Sequence, residues 1–172
     1  MYHFPNLDET TRLVMIRELD LDLSNGMFYE PVSIQKSFIP TYKQKLKASF
    51  EKGNAESLKS SLSMDMFKSK DKNGRKIPNT ISEMLSFSDF NRYYIRALIV
   101  RAINEEKSLI VYRAKQSANA RMESKYAIGK IYSDKVQLQH ILEIVRDYRK
   151  LFSLNPPLEF LKPNSGLSLK LL

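Results

Sequence analysis

The stretch that decides the fold is Phe90-Asn91-Arg92-Tyr93-Tyr94-Ile95-Arg96-Ala97-Leu98-Ile99-Val100-Arg101-Ala102-Ile103-Asn104-Glu105-Glu106, running on into Lys107-Ser108-Leu109-Ile110-Val111-Tyr112-Arg113-Ala114-Lys115. In the first part, Phe90, Tyr94, Leu98 and Ala102 recur at intervals of four, the spacing that stacks side chains on one helical face. Ser88 or Asp89 supplies its N-cap. Residues 108–115 then turn β-branched, apolar and short, which predicts a strand.

Outward from this pair the helical signals dominate. Asp8 is a good N-cap for a helix over 8–25, and Gly26 follows as its C′ residue. Met15, Ile16, Leu19 and Leu23 fall on one face of it. Residues 18–24 also alternate strictly ahead of an Asn25-Gly26 turn, a hairpin pattern; the start cap and the length decide for the helix. Residues 27–39 read as extended. Pro40 can open a helix over 41–52 that stops at Gly53, and Asn54 caps another to about Met66. Residues 82–85 look like a brief helical turn. Residues 116–133 read as a loop with one helical turn. Asp134 caps a last helix in which Leu138, Ile141, Leu142, Val145, Tyr148 and Phe152 form a clean stripe, ended by Asn155-Pro156-Pro157. The tail, 158–172, is too apolar to float free and is expected to pack on the body or on another subunit. The expectation is one α+β domain over 1–172, mostly helical, with four to five helices and one short strand pair or hairpin.

Composition narrows the function classes. At 172 residues, with 42% apolar and 27% charged residues, the chain is long enough to bury a core without a metal or a disulfide. It has no cysteine, which removes thiolate metal sites, disulfides and cysteine nucleophiles together. No apolar run approaches the ~20 residues of a membrane span, and the start lacks the pattern of a signal peptide. A cytoplasmic protein without membrane contact is the expectation. The outlier is charge: 28 Lys and Arg against 19 Asp and Glu, formally +9. A field of that sign gathers phosphate-bearing partners.

Catalytic signatures are sparse. His140 has Glu143 three residues on, a spacing that suits an oriented base but is also routine between helix neighbours. The acids of residues 18–26 fail the register of a calcium-binding loop and read as a solvated helix face. Glu123-Ser124-Lys125 with Asp89 matches the residue types of a metal-dependent nuclease, a pattern that arises easily by chance. No cofactor, resident metal or catalytic residue is assigned.

The basic and aromatic pattern is richer. Arg92 and Arg96 lie one turn apart, and Tyr112, Arg113, Lys115, Arg121 and Lys125 follow within forty residues. Arginine forks grip phosphate oxygens and tyrosine faces stack on bases. Against this, Tyr94 sits on the core stripe, Arg101 points away from Arg92, and helix arginines often bridge to nearby acids. A second candidate is the loop Lys68-Ser69-Lys70-Asp71-Lys72-Asn73-Gly74-Arg75-Lys76, whose five cations surround one carboxylate. Such a loop can lie along a phosphate backbone without reading sequence.

Residues 90–98, Val111-Tyr112-Arg113-Ala114-Lys115 and Pro163-Asn164-Ser165-Gly166-Leu167-Ser168 together resemble a family of small proteins of bacteria and their phages or prophages. The resemblance spans most of the chain and implies a setting without implying an activity. The leading expectation is thus a small basic protein that binds nucleic acid or another polyanion. The alternative is a structural or assembly subunit of a phage particle or larger complex, a homo-oligomer or one with an assembly partner. A metal-dependent nuclease is third.

Overall fold

The computed structural model describes residues 2–116, 121–155, 157–162 and 165–172. Pro156, Pro163 and Asn164, quoted above, lie outside the described residues, as does 117–120 within the segment left as loop and turn.

The fold is mostly helical α+β, with seven helices and one three-stranded antiparallel sheet among the described residues. Helix α1, Glu9–Ser24, is capped by Asp8, whose carboxylate accepts from the Thr11 N–H. Helix α2, Ile39–Glu51, carries Pro40 in its first turn, where a missing N–H costs nothing. Helix α3, Ala55–Ser61, begins on a reciprocal capping box between Asn54 and Ser57.

Helix α4, Ile81–Glu105, is the axis of the domain. It packs against α1, against α3, and against the later helix α6, Lys135–Arg146. The short turn predicted at 82–85 and the helix predicted from 90 are one continuous helix. Asp89 is therefore an interior residue and not a cap, because its carboxylate is taken by the Tyr42 hydroxyl at 2.5 Å. Every residue from 89 to 99 is buried. A helix apolar on one stripe faces water on the other side; one buried on every side must be enclosed.

Glu106 ends α4 with φ +53°, in the left-handed region that glycine occupies without steric cost. Its side chain has no partner among the described residues. Glu106→Gly is expected to raise stability by about 0.5–1 kcal/mol, the smaller part of the left-handed penalty that remains after glycine's own entropy. Thermal unfolding of the two proteins checks the sign.

The chain leaves α4 into β1, Leu109–Arg113, the centre of the sheet. Strand β2, Ile131–Tyr132, flanks it on one side, after a short helix α5, Met122–Ala127. Strand β3, Leu167–Leu171, flanks it on the other, with Leu109 opposite Leu171 and Arg113 opposite Leu167. The apolar tail is thus a strand of the body, with Leu167 and Leu169 buried, and is not held out for another subunit. The last predicted helix is two. It breaks at Asp147, whose extended backbone and carboxylate start α7, Tyr148–Ser153, by accepting from Arg149 N–H. Leu138, Ile141, Leu142 and Val145 are buried as the stripe requires, whereas Phe152 beyond the break is exposed.

Candidate functional site

Helix α4 carries Arg92 and Arg96 one turn apart, and the structure treats them oppositely. Arg96 is 1% exposed and fully bonded. Its guanidinium reaches Glu18 Oε2 at 2.8 and 3.1 Å and the Asp22 carboxylate at 2.6 and 2.9 Å. Arg146 closes on the same Glu18 from α6 at 2.5 Å, and the Tyr93 hydroxyl donates to Asp22 at 2.7 Å. Two guanidinium groups and two carboxylates thereby form an electrically neutral knot between α1, α4 and α6. Burial drives the Glu18 carboxyl upward, but its bonds to Arg146 and the nearby Arg96 charge outweigh this and hold it below the ordinary range.

Two expectations are corrected here. Arg96 is no phosphate contact, because it is buried and each of its guanidinium nitrogens donates to the Glu18 or Asp22 carboxylate. Glu18 and Asp22 are not a solvated face; they line the buried side of α1 together with Met15 and Leu19.

Arg92 is also buried, at 8% exposure, and so is no surface contact either. Unlike Arg96, it makes no hydrogen bond in the structure. Asp89 Oδ1 stands 3.5 Å from Nη2 without bonding to it, and Nε and Nη2 are enclosed and unsatisfied. The rings of Tyr93 and Tyr29 lie 5.2 and 5.8 Å from its guanidinium carbon. Burial opposes the charge, yet the Asp89 carboxylate and the phenol groups of Tyr93 and Tyr42 more than offset it and keep the group protonated. The Tyr42 hydroxyl, driven up by burial and then by Asp89, remains a donor far above neutral pH.

The remaining predicted contacts are held one by one. Lys115 pairs with Glu83 at 2.7 Å, Tyr112 donates to the His3 carbonyl, and Arg113 donates to the Ser165 carbonyl at 3.3 Å. Tyr112 and Arg113 are half-buried in β1, while Arg121 and Lys125 are exposed at α5. Burial thus removes Arg92 and Arg96 from the surface, and Glu83 neutralises Lys115, while Arg121 and Lys125 stay exposed.

The loop of 68–76 behaves differently. It is a formed hairpin, with Lys70 and Lys76 opposite each other across an antiparallel bridge. Asp71 N–H donates to the Arg75 carbonyl at 2.8 Å, and Gly74 turns the tip with φ +77°. Asp71, the one acid present, spends Oδ1 on the N–H groups of Asn73 and Arg75 at 2.8 and 2.9 Å. At its base, Lys68 N–H donates to the Ser33 carbonyl and Phe67 is buried beside Ile34. Lys68, Lys70, Lys72, Arg75 and Lys76 are all exposed, and among the described residues none forms an ion pair. Like charges set opposite one another in a ladder repel. Here one carboxylate, Asp71, stands against five cations.

The chain matches no protein-family model, no curated protein and no solved structure.

Other candidates gain little from the fold. His140 is exposed on α6, as is Glu143. Among the described residues, no group of three His, Asp or Glu side chains is placed to hold a metal. Asp89 is committed inside the core, apart from the role suggested with Glu123. No helix of the described residues is long and apolar enough to cross a membrane.

Proposed function

We propose that the protein binds a polyanion, the phosphate backbone of nucleic acid above all, through the hairpin of 68–76. The observation that supports this reading is the opposition of Lys70 and Lys76, with Lys72 and Arg75 at the tip and Lys68 at the base, on a rigid turn whose only acid is used internally. A backbone already folded into a hairpin spares part of the ordering cost, and released counterions drive the association. Contacts of this kind position a duplex or strand without reading bases. The reading rests on the hairpin and not on α4, where Arg96 is bonded to buried carboxylates and Arg92 is enclosed.

Fluorescence anisotropy with labelled single- and double-stranded DNA and RNA at two salt concentrations tests it. Binding to duplex should weaken as salt rises, with a logarithmic slope near −0.9 per phosphate contact, so about −4.5 for the five cations of the hairpin. The variant Lys70→Ala/Lys72→Ala/Arg75→Ala/Lys76→Ala should lose at least ~tenfold in affinity and flatten that slope by about 3.6. All four side chains are exposed, so its melting temperature should not move. Absence of binding by wild type at low salt defeats the reading.

A second reading, an assembly subunit, has support of its own. Met122, Tyr126, Ile128 and Ile131 are 57, 79, 42 and 53% exposed at α5 and the β2 edge, an apolar group of the kind that marks contacts between chains. Light scattering that reports only monomer at high concentration would remove it.

A further inference from the structure

The unbonded guanidinium of Arg92 faces a cavity. This space, of about 350 Å³, is lined by Arg92, Asp89 and Ser88 of α4, by Tyr29, and by an apolar wall of Leu85, Leu151, Phe152, Pro157, Leu158 and Leu161, with Lys162 beside it. Its size falls within the range of sites for small organic ligands, and its lining follows their usual pattern of apolar walls with a few convergent polar groups.

Buried arginines satisfy their donors. Arg96, one turn along the same helix, does so completely. Arg92 is enclosed to nearly the same degree, yet Nε and Nη2 meet no acceptor. The rings of Tyr93 and Tyr29 hold it in place, and Asp89 already takes the Tyr42 hydrogen bond. Nε and Nη2 are enclosed, so the cavity meets the guanidinium through Nη1, and a cationic donor at the wall of a largely apolar cavity is complementary to an anionic head carried on an apolar body.

We infer that the cavity between α4, α7 and the 157–162 segment binds a small amphiphilic monocarboxylate, its carboxylate on Arg92 and its hydrocarbon against Leu85, Leu151, Phe152 and Leu158. A single negative charge suits the site better than a phosphate dianion, because Asp89 stands only 3.5 Å from the same guanidinium. Lys162, itself paired with Glu159, adds a second cation beside the cavity. This site is separate from the hairpin and independent of polyanion binding.

Titration calorimetry of the full chain with sodium octanoate tests the inference, beside 1-octanol (the body without the charge) and acetate (the charge without the body). Octanoate should saturate one site, with both comparators at least ~tenfold weaker, since each lacks one half of the contact. Arg92→Gln should reduce octanoate to the level of octanol. Because that change also disturbs Asp89, Ser88→Trp provides the second variant: Ser88 is exposed and lines the cavity, so a ring there is designed to obstruct it. It should abolish octanoate binding with the melting temperature preserved, while the hairpin variant binds octanoate as wild type does. Failure of octanoate to saturate, octanol binding equally well, or binding that survives Ser88→Trp each overturns the inference.

Discussion

Arg96→Met should cost about 3–5 kcal/mol of folding stability, because removing one partner of a buried ion pair strands the other. The stranded groups are Asp22, left with the Tyr93 hydroxyl, and Glu18, left with Arg146. For a domain whose whole margin is roughly 5–15 kcal/mol, this is a large share. The melting temperature should fall on the order of 10–15 °C at this chain length. Adding Glu18→Gln and Asp22→Asn to Arg96→Met should recover part of the loss. No buried charge then lacks a partner, and Arg146, 41% exposed, can hydrate.

The pH dependence carries a definite sign. In the folded protein the Glu18 carboxyl titrates below its ordinary value of 4.5. As pH falls through that value the unfolded chain takes up the proton first, so the stability it contributes is complete above about pH 4.5 and drains away below. Arg96→Met lacks one of the cations responsible, so the gap between variant and wild type should narrow as acid discharges the stranded carboxylates. A variant within 1 kcal/mol of wild type at neutral pH would show that the knot contributes little.

Leu167→Ala combined with Leu169→Ala should be more damaging still, at roughly 4–10 kcal/mol, from ~2–5 kcal/mol for each buried leucine truncated. Both side chains are at most 1% exposed, between the sheet and α4. The strand that carries them is also the acceptor for a polar clamp. Asn91 of α4 donates to the Leu167 carbonyl at 3.0 Å and accepts from the Ser168 hydroxyl at 2.6 Å. Loosening β3 would leave β1 with an unpaired edge and Asn91 buried without partners, so circular dichroism should report a largely unfolded or aggregating chain. A cooperative melt close to that of wild type would contradict the placement of the tail.

Local signals told most of the fold. Asp8, Asn54 and Asp134 start helices as their side chains predict, and Pro40 opens one. What escaped was set by distant partners. The run 116–133 hides a two-residue strand whose only reason to exist is its pairing with β1. The tail declared itself apolar, but its strand identity depends on a ladder to residues nearly sixty positions earlier. Asp89 resembles a cap in sequence because nothing local reveals Tyr42.

The arginines misled for a related reason. Charge on a helix implies a wet face only when the helix has one, and α4 is enclosed over 89–99. The unbroken apolar run around Arg96, Tyr93 to Val100, was the available hint that any charge inside it must have a buried counterion. Glu18 and Asp22, four apart and flanked by Met15 and Leu19 at core spacing, were its other half. At 68–76 the sequence showed a basic loop turning at Asn73-Gly74, but not the Lys70–Lys76 bridge that makes it a hairpin or the use of Asp71 inside the turn.

The neutral knot also imposes a timetable. Its acids lie in the first helix, while their cations arrive 78, 74 and 128 residues later along the chain. During synthesis the leading helix must wait, its two acids still hydrated, until Arg146 has been made. Contacts this remote in sequence slow the search for the native state, so assembly should complete late and as one event instead of from the N-terminus onward.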